Sequence, residues 1–464
     1  MPLIGWNPMY KDRFLGTDPQ SLPLARELYE IMRALPILSP HGHVDARMLR
    51  ENEPFANPVE LLIKPDHYIT RMMVSQGVSY EKIISGDPKE VWNIFAHHWK
   101  AFRSTPSRIW LLETFDSLFG ISDVDLTKRP EYFYDHIQER LNSKEFLPQE
   151  LFRSFGIEVL ATTDSTSSTL EDHAALSSLN LGGRIIPTFR PDDVSDPNRT
   201  SWMASLAQLS LATGEDCKSF DSFTSALRNR RAHFKEHGAT ATDHGVLSAR
   251  TVDLPLEEKE NLFALLLSGN FQAHEAERFR AVMLFEHARM ASEDGLVMQL
   301  HPGSLRNYDA NFASEFGADK GFDIPLETHF VNELRPLLDA FGFNPNFRMV
   351  LFTLDESTYS RELAPLAGAY PALRLGPPWW FHDSLNGMDR WRESVTETAG
   401  YYNTVGFIDD TRAFASIPVR HDVARRFDAS YLAREVARYR ISKSDAFELA
   451  ADIAYNLSKD FFRL

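Results

Sequence analysis

The chain has 464 residues, 43% hydrophobic and 25% charged, with 33 Phe and 8 Trp, values that supply a large packed core and exclude a disordered chain. Its formal charge of -16 repels phosphate backbones and anionic membrane surfaces, and no cluster of Lys and Arg is dense enough to offset this, so neither nucleic acid nor membrane is an expected partner. An acidic protein that takes an acidic ligand must concentrate cations locally, which directs attention to individual arginines.

The sequence starts without a basic stretch followed by an apolar run, and no apolar segment approaches the ~20 residues that span a bilayer, so a soluble, non-exported protein is expected. The single cysteine, Cys217, forms no intrachain disulfide and fits a reducing cytoplasm. Without a CxxC pair, any metal must be held by His and carboxylate ligands.

The first element is a helix predicted over residues 23–35, with Leu24, Leu28, Ile31 and Leu35 at helical spacing, Ser21 as cap and Pro36 as stop. Directly after it, Ile37-Leu38-Ser39-Pro40-His41-Gly42-His43 is a short apolar run ending in two histidines. Residues 44–155 then read as helices and loops. Val91, Phe95, Trp99 and Phe102 share a face behind Asp87-Pro88, and Ile109, Leu112, Phe115 and Phe119 share another.

Beyond residue 155, strand candidates recur between helical stretches, at residues 159–164, 184–190, 240–244, 296–301, 348–355, 373–380 and 405–410. With the first run they make eight. Helical stretches such as residues 274–290 and 328–341 suit right-handed β-α-β crossovers, and so a single-domain (β/α)8 TIM barrel over residues 1–464 with a mainly helical insertion at about 44–155. A doubly wound open sheet would bring a glycine-rich phosphate turn after its first strand, and none is present. Nearly every candidate ends in polar residues, where barrel active sites lie.

His41 and His43 are separated by one residue, so on a strand both imidazoles point to one face and can share a divalent ion. Asp409-Asp410 ends the eighth candidate and brings a carboxylate beside the first strand, although Asp-Asp-Thr-Arg could also simply cap a helix. His244 and His301 end the fourth and fifth candidates, as further ligands or as hydrogen-bonding groups. No lysine ends the fourth candidate to be carbamylated between two metals, so one ion is expected, zinc by preference.

The pairing of HxH on strand one with Asp after strand eight resembles the amidohydrolase superfamily. Collinear motifs narrow this to uronate isomerase: Asp66-His67-Tyr68, Thr162-Thr163-Asp164, Phe189-Arg190-Pro191-Asp192, Asp243-His244, His301-Pro302-Gly303, Trp379-Trp380-Phe381-His382-Asp383 and Asp410-Thr411-Arg412. The first motif departs from the family's usual Asp-Tyr-His-Cys-His, reading Ser39-Pro40-His41-Gly42-His43, with both histidines kept. The resemblance implies metal binding by His41, His43 and Asp410, with His67, Tyr68, Arg190 and Arg412 lining a hexuronic acid substrate. Arg306 is a third cation for the sugar's oxygens, and Trp379 and Trp380 either wall the pocket or pack in the core.

For an aldose-ketose proton transfer two carriers offer themselves, Tyr68, with a pKa lowered by its neighbour His67, and Asp410; the preferred division gives the hydroxyl protons to Asp410 with the metal and the transfer near the carbons to the His67-Tyr68 pair. The competing readings are a metal-dependent hydrolase of an amide or lactone and a non-catalytic sugar-acid binding protein. The aromatic content suits a homo-oligomer as well as a filled barrel.

Overall fold

The computed structural model describes residues 11–122 and 124–464; the chain start that was searched for a leader lies largely outside them. Helix Leu22–Arg33 buries Ala25, Leu28, Tyr29 and Met32, a stripe at helical spacing that packs on helix Ile417–Ala437. Of the predicted stripe only Leu28 is fully buried, and Ser21 makes no side-chain cap; Pro23, in the first turn, sets the start instead.

Seven parallel strands follow in chain order: β1 (Ile37–Ser39), β2 (Ile157–Ala161), β3 (Arg184–Ile186), β4 (Ala241–Val246), β5 (Val297–Pro302), β6 (Met349–Leu351) and β7 (Leu373–Leu375). β1 pairs β2 and β2 pairs β3. Beyond short breaks β2 and β3 resume as Asp164–Ser165 and Phe189–Arg190, which pair with each other, and Phe189 pairs Thr242 of β4. The order continues through β4-β5, β5-β6 and β6-β7. A bridge from Leu375 to Thr404 brings in the eighth segment, and His43 N–H donates to the Thr411 carbonyl at 3.0 Å to join it to the first. The chain is a (β/α)8 barrel.

The eighth segment is not the regular strand expected over residues 405–410. Gly406 and Asp410 take φ of 75° and 39°, left-handed values incompatible with a pleated ladder, so one bridge is all it makes. β6 and β7 also end earlier than expected; Pro377 and Pro378, which lack a donor N–H, follow β7 almost at once.

Among the described residues, every element between Ser39 and Ile157 is helical. Asp87 caps helix Pro88–His97 by accepting from Lys89 and Glu90 N–H. That helix sends Val91, Trp92 and Phe95 into a cluster with Trp99, Phe102 and Phe115 that also touches Ile37, Ile157 and Leu160 of the barrel.

Strand alternation sorts the barrel wall into two faces. On β5, Met298 and Leu300 pack outward with Leu337, Leu351 and Leu375, while Val297 joins the inner cluster of Val350, Phe352 and Val405, capped below by Phe461 and Phe462. Gln299 and His301 share the inward face of Val297, so the same pleat that fills the barrel lifts His301 to its carboxyl-terminal mouth. No described helix is long and apolar enough to cross a membrane.

Candidate functional site

His41 and His43 project from the end of β1 and meet Asp410, whose Oδ1 lies 3.3 Å from His41 Nε2 and 3.2 Å from His43 Nε2. The positive φ of Asp410 turns its carboxylate back toward the first strand, a strained conformation of the kind that clusters at functional sites. Asp409, its neighbour, points the other way, to His421 Nε2 at 2.9 Å. The alternative of a plain helix cap for this pair has no support: neither aspartate caps, and no regular helix begins before Ile417.

A second group shares His41. His301 stacks on His41 with ring centroids 4.7 Å apart, and its Nδ1 lies 2.8 Å from Asp243 Oδ1. Both sets, His41-His43-Asp410 and His41-Asp243-His301, bring their donor atoms close enough to hold a metal ion. They differ in what already neutralises the carboxylate: Asp243 faces Arg190 Nε at 3.4 Å, whereas Asp410 has only imidazoles beside it. His41 Nδ1, Asp410 Oδ1 and both ring nitrogens of His301 are buried without a hydrogen bond in acceptable geometry. Each orphan costs about 1–3 kcal/mol unless something else satisfies it, and two imidazoles with one carboxylate are the donor set of a divalent ion.

The electrostatics divide the two histidines: burial lowers His41, but Asp410 and Asp243 outweigh it and raise that imidazole. Burial pushes the Asp410 carboxyl up, but His41 and His43 outweigh it and hold it well below the usual range. Burial carries His43 down to about 4, leaving a neutral imidazole, the ligating form. Asp243, despite burial, is held low by Arg190, His41 and His301.

Of the residues singled out from the sequence, His41, His43, His67, Tyr68, Arg190, His301, Arg306, Trp379, Trp380, Asp410 and Arg412 line one cavity, joined by Asp243 and Asp319, while His244 lines the adjoining space instead. His67 and Tyr68 open helix His67–Ser75 behind the Asp66 cap, and Trp380 lies 4.9 Å from the His67 ring. The arginines are pinned: Arg412 Nη2 is 3.4 Å and Arg306 Nη1 3.6 Å from Asp319, and Arg190 donates to Asp192 at 2.9 Å. The cavity continues past Arg190 and Arg412 into a vestibule of about 810 Å³.

The pairing proposed for Tyr68 is different in the structure. Its ring stacks on His67 at 5.4 Å, but its hydroxyl donates to Asp383 Oδ2 at 3.0 Å, and burial together with Asp383 pushes the phenol well above its ordinary value rather than lowering it. Burial, with Arg412 and Arg420 nearby, drops His67 to about 3, so it is neutral as well. His244 and His301, undivided by sequence, separate here: His301 faces the mouth, while His244, pointing outward from β4, meets Thr242 Oγ1 at 2.9 Å and the His287 ring at 4.8 Å. Asp243, Asp319, Asp383 and Arg420 were not assigned roles from sequence; the strand-end position of Asp243, one residue before His244, is the signal that could have placed it.

Comparison with known proteins gives a consistent answer. The family model described as glucuronate isomerase matches residues 9–462. A uronate isomerase from Rhizorhabdus wittichii is 50% identical over 460 residues, covering 98% of both chains. The crystal structure of glucuronate isomerase from Caulobacter crescentus superposes with a TM-score of 0.96 at 46% identity, over 100% of this chain and 98% of that one. The uronate isomerase structure from Thermotoga maritima gives 0.92 at 29% identity, over 97% and 99%.

Proposed function

The chain belongs to the uronate isomerase family, and from that premise we propose that its barrel mouth interconverts D-glucuronate with D-fructuronate, and D-galacturonate with D-tagaturonate, at the His41-His43-Asp410 centre. It is an aldose-ketose isomerase. Whole-chain identity to isomerases leaves the hydrolase and the non-catalytic readings unsupported.

The reaction moves one proton between adjacent carbons and the carbonyl from C1 to C2, so the site must supply a base, return the proton and stabilise an enediolate. Asp410 is the group for the carbon proton. Tyr68 is a neutral phenol with its proton committed to Asp383, Asp243 is locked by Arg190 and His301, and Asp319 holds two arginines. In this assignment Asp410 takes the proton from C2 and delivers it to C1, while the proton of the C2 hydroxyl passes to the C1 oxygen and leaves the carbonyl at C2.

Arg190, Arg306 and Arg412 bind the carboxylate and hydroxyl oxygens through planar donors whose directions Asp192 and Asp319 fix in advance. Trp379, Trp380 and the neutral His67 ring wall the cavity and keep water from exchanging the travelling proton. A single zinc ion fits the His41-His43-Asp410 donors, and when bound it supplies polarisation of the carbonyl and the neighbouring hydroxyl.

The observation that carries this reading is the convergence, on one cavity, of ligating atoms without hydrogen-bond partners and three arginines, each ion-paired with an aspartate. Both sugars followed by NMR in deuterated water, with zinc content measured alongside, test it. Ketose is expected from the wild type, and His41→Ala is expected to lose both the zinc and at least about 100-fold in turnover, since changes one layer behind a metal already cost 10- to 100-fold. Full turnover by metal-free His41→Ala would overturn the assignment.

A further inference from the structure

Behind Tyr68 lies a buried charged pair that the assigned chemistry does not use. Asp383 sits after β7, in the turn that closes the Trp379-Trp380 segment, and is 6% exposed. Its Oδ2 accepts from the Tyr68 hydroxyl at 3.0 Å and from Arg420 Nη1 at 3.1 Å. Arg420, on helix Ile417–Ala437 and 2% exposed, also donates to the Asp409 carbonyl at 3.2 Å and lies 3.7 Å from the Trp110 ring. Neither Asp383 nor Arg420 lines the cavity, but Tyr68 does.

A neutral phenol has one proton to give. Where that proton points decides what the oxygen offers on its other side, and buried carboxylates with a charged partner hold such protons firmly. From this geometry we propose that Asp383, anchored by Arg420, is a positioning residue: it fixes the direction of the Tyr68 hydroxyl proton and so sets what Tyr68 presents to the uronate. With Asp383 ionised, Tyr68 turns lone pairs to the cavity and accepts from a sugar hydroxyl. With Asp383 protonated, the phenol proton is released to donate into the cavity.

Burial raises the Asp383 carboxyl to about 7, with Arg420 and the Tyr68 hydrogen bond opposing, and Asp410 and Asp66 reinforcing. These groups, with Tyr68 and Asp66 at the start of one helix, Arg420 on another and Asp410 across the mouth, are the charged and titratable neighbours that bear on it. The two arrangements of Tyr68 therefore exchange near neutrality.

The inference rests on the isomerase reading and is tested with the full-length, metal-loaded enzyme, measuring kcat/KM for D-glucuronate on both sides of neutral pH in wild type, Asp383→Asn, Tyr68→Phe and the double variant. Asp383→Asn is expected to lower kcat/KM about tenfold, the equivalent of one charge-assisted hydrogen bond, and to remove an inflection near pH 7. In the Tyr68→Phe background the same substitution is expected to change little, because its route to the substrate is gone. A loss that carries over in full, or an unchanged pH profile in Asp383→Asn, overturns the proposal and leaves the isomerase reading standing. Should Asp383→Asn not fold, Tyr68→Phe, which keeps the Asp383-Arg420 pair, must lose the inflection; its retention overturns the proposal. No turnover by the wild type overturns both.

Discussion

Asp409 and Asp410 are adjacent in the chain and stand at the border of two buried polar regions that are built on opposite terms. On the Asp409 side, helix Ile417–Ala437 buries Arg420, His421, Asp422, Arg425, Arg426 and Asp428, and each has a hydrogen-bonded partner: Asp422 accepts from Tyr29 and Arg426, Asp428 from Arg392, and Arg425 donates to the Pro36 carbonyl. On the Asp410 side, the carboxylate Oδ1, His41 Nδ1 and the His301 nitrogens have none. Burial and charge are alike in both. What separates scaffold from site is that every scaffold charge keeps at least one hydrogen-bonded partner, even where single atoms such as Asp409 Oδ1 and Arg425 Nε are left over, whereas His301 and the Asp410 Oδ1 that faces the two imidazoles have none.

That contrast can be broken at either end. Asp410→Asn is expected to have the largest effect, a loss of about 10³ in turnover with little change in the denaturation midpoint of the metal-free protein, because it removes the proton carrier and a ligand but disturbs only the contacts of 3.3 and 3.2 Å to His41 and His43. Steady-state kinetics and urea unfolding on the same preparation check both halves; a loss of stability with activity retained would reverse the distinction. Asp428→Ala should do the opposite, leaving the buried Arg392 charge without its carboxylate at a cost of about 3–5 kcal/mol in unfolding free energy, while turnover per folded molecule is unchanged.

The smallest effect sharpens the comparison between histidines. His173 is buried, with its Nε2 2.8 Å from Thr162 Oγ1, and burial carries it down to about 4 from 6.5. Between those values the unfolded imidazole binds a proton that the folded one refuses, so its contribution to stability is complete above pH 6.5 and falls as the pH drops toward 4, by up to about 1.4 kcal/mol per pH unit. Unfolding free energies measured across that window should slope less in His173→Gln. An unchanged slope would mean that this imidazole protonates in the folded chain.

How far the sequence foretold this can be argued residue by residue. Period-two spacing put His41 and His43 on one face, and turn chemistry at strand ends located the mouth, because both signals are local. The eighth segment was misjudged as a strand because apolar residues at 405, 407 and 408 mimic one, while Gly406 and the strained Asp410 break the ladder. Asp319 arrives from a loop and Arg420 from the first turn of a long buried helix; nothing in their neighbours' pattern marks them, since only the closed fold brings them to Arg412 and Asp383. Tyr68 was recognised, but its effective proton partner is 315 residues away, beyond any reading of the dipeptide it shares with His67.

The seam between the first strand and the eighth segment, where His43 N–H meets the Thr411 carbonyl, has a consequence for how the molecule comes into being. Two ligand candidates are made within the first tenth of the chain and the third near its end, so no shorter nascent chain carries the centre. Joining them is among the longest-range contacts of the described residues and among the costliest in loop entropy, an order that favours late closure. An ion that bridged the two sides would draw its affinity from the closed ring, so that its binding would favour the barrel as a circle over the open chain.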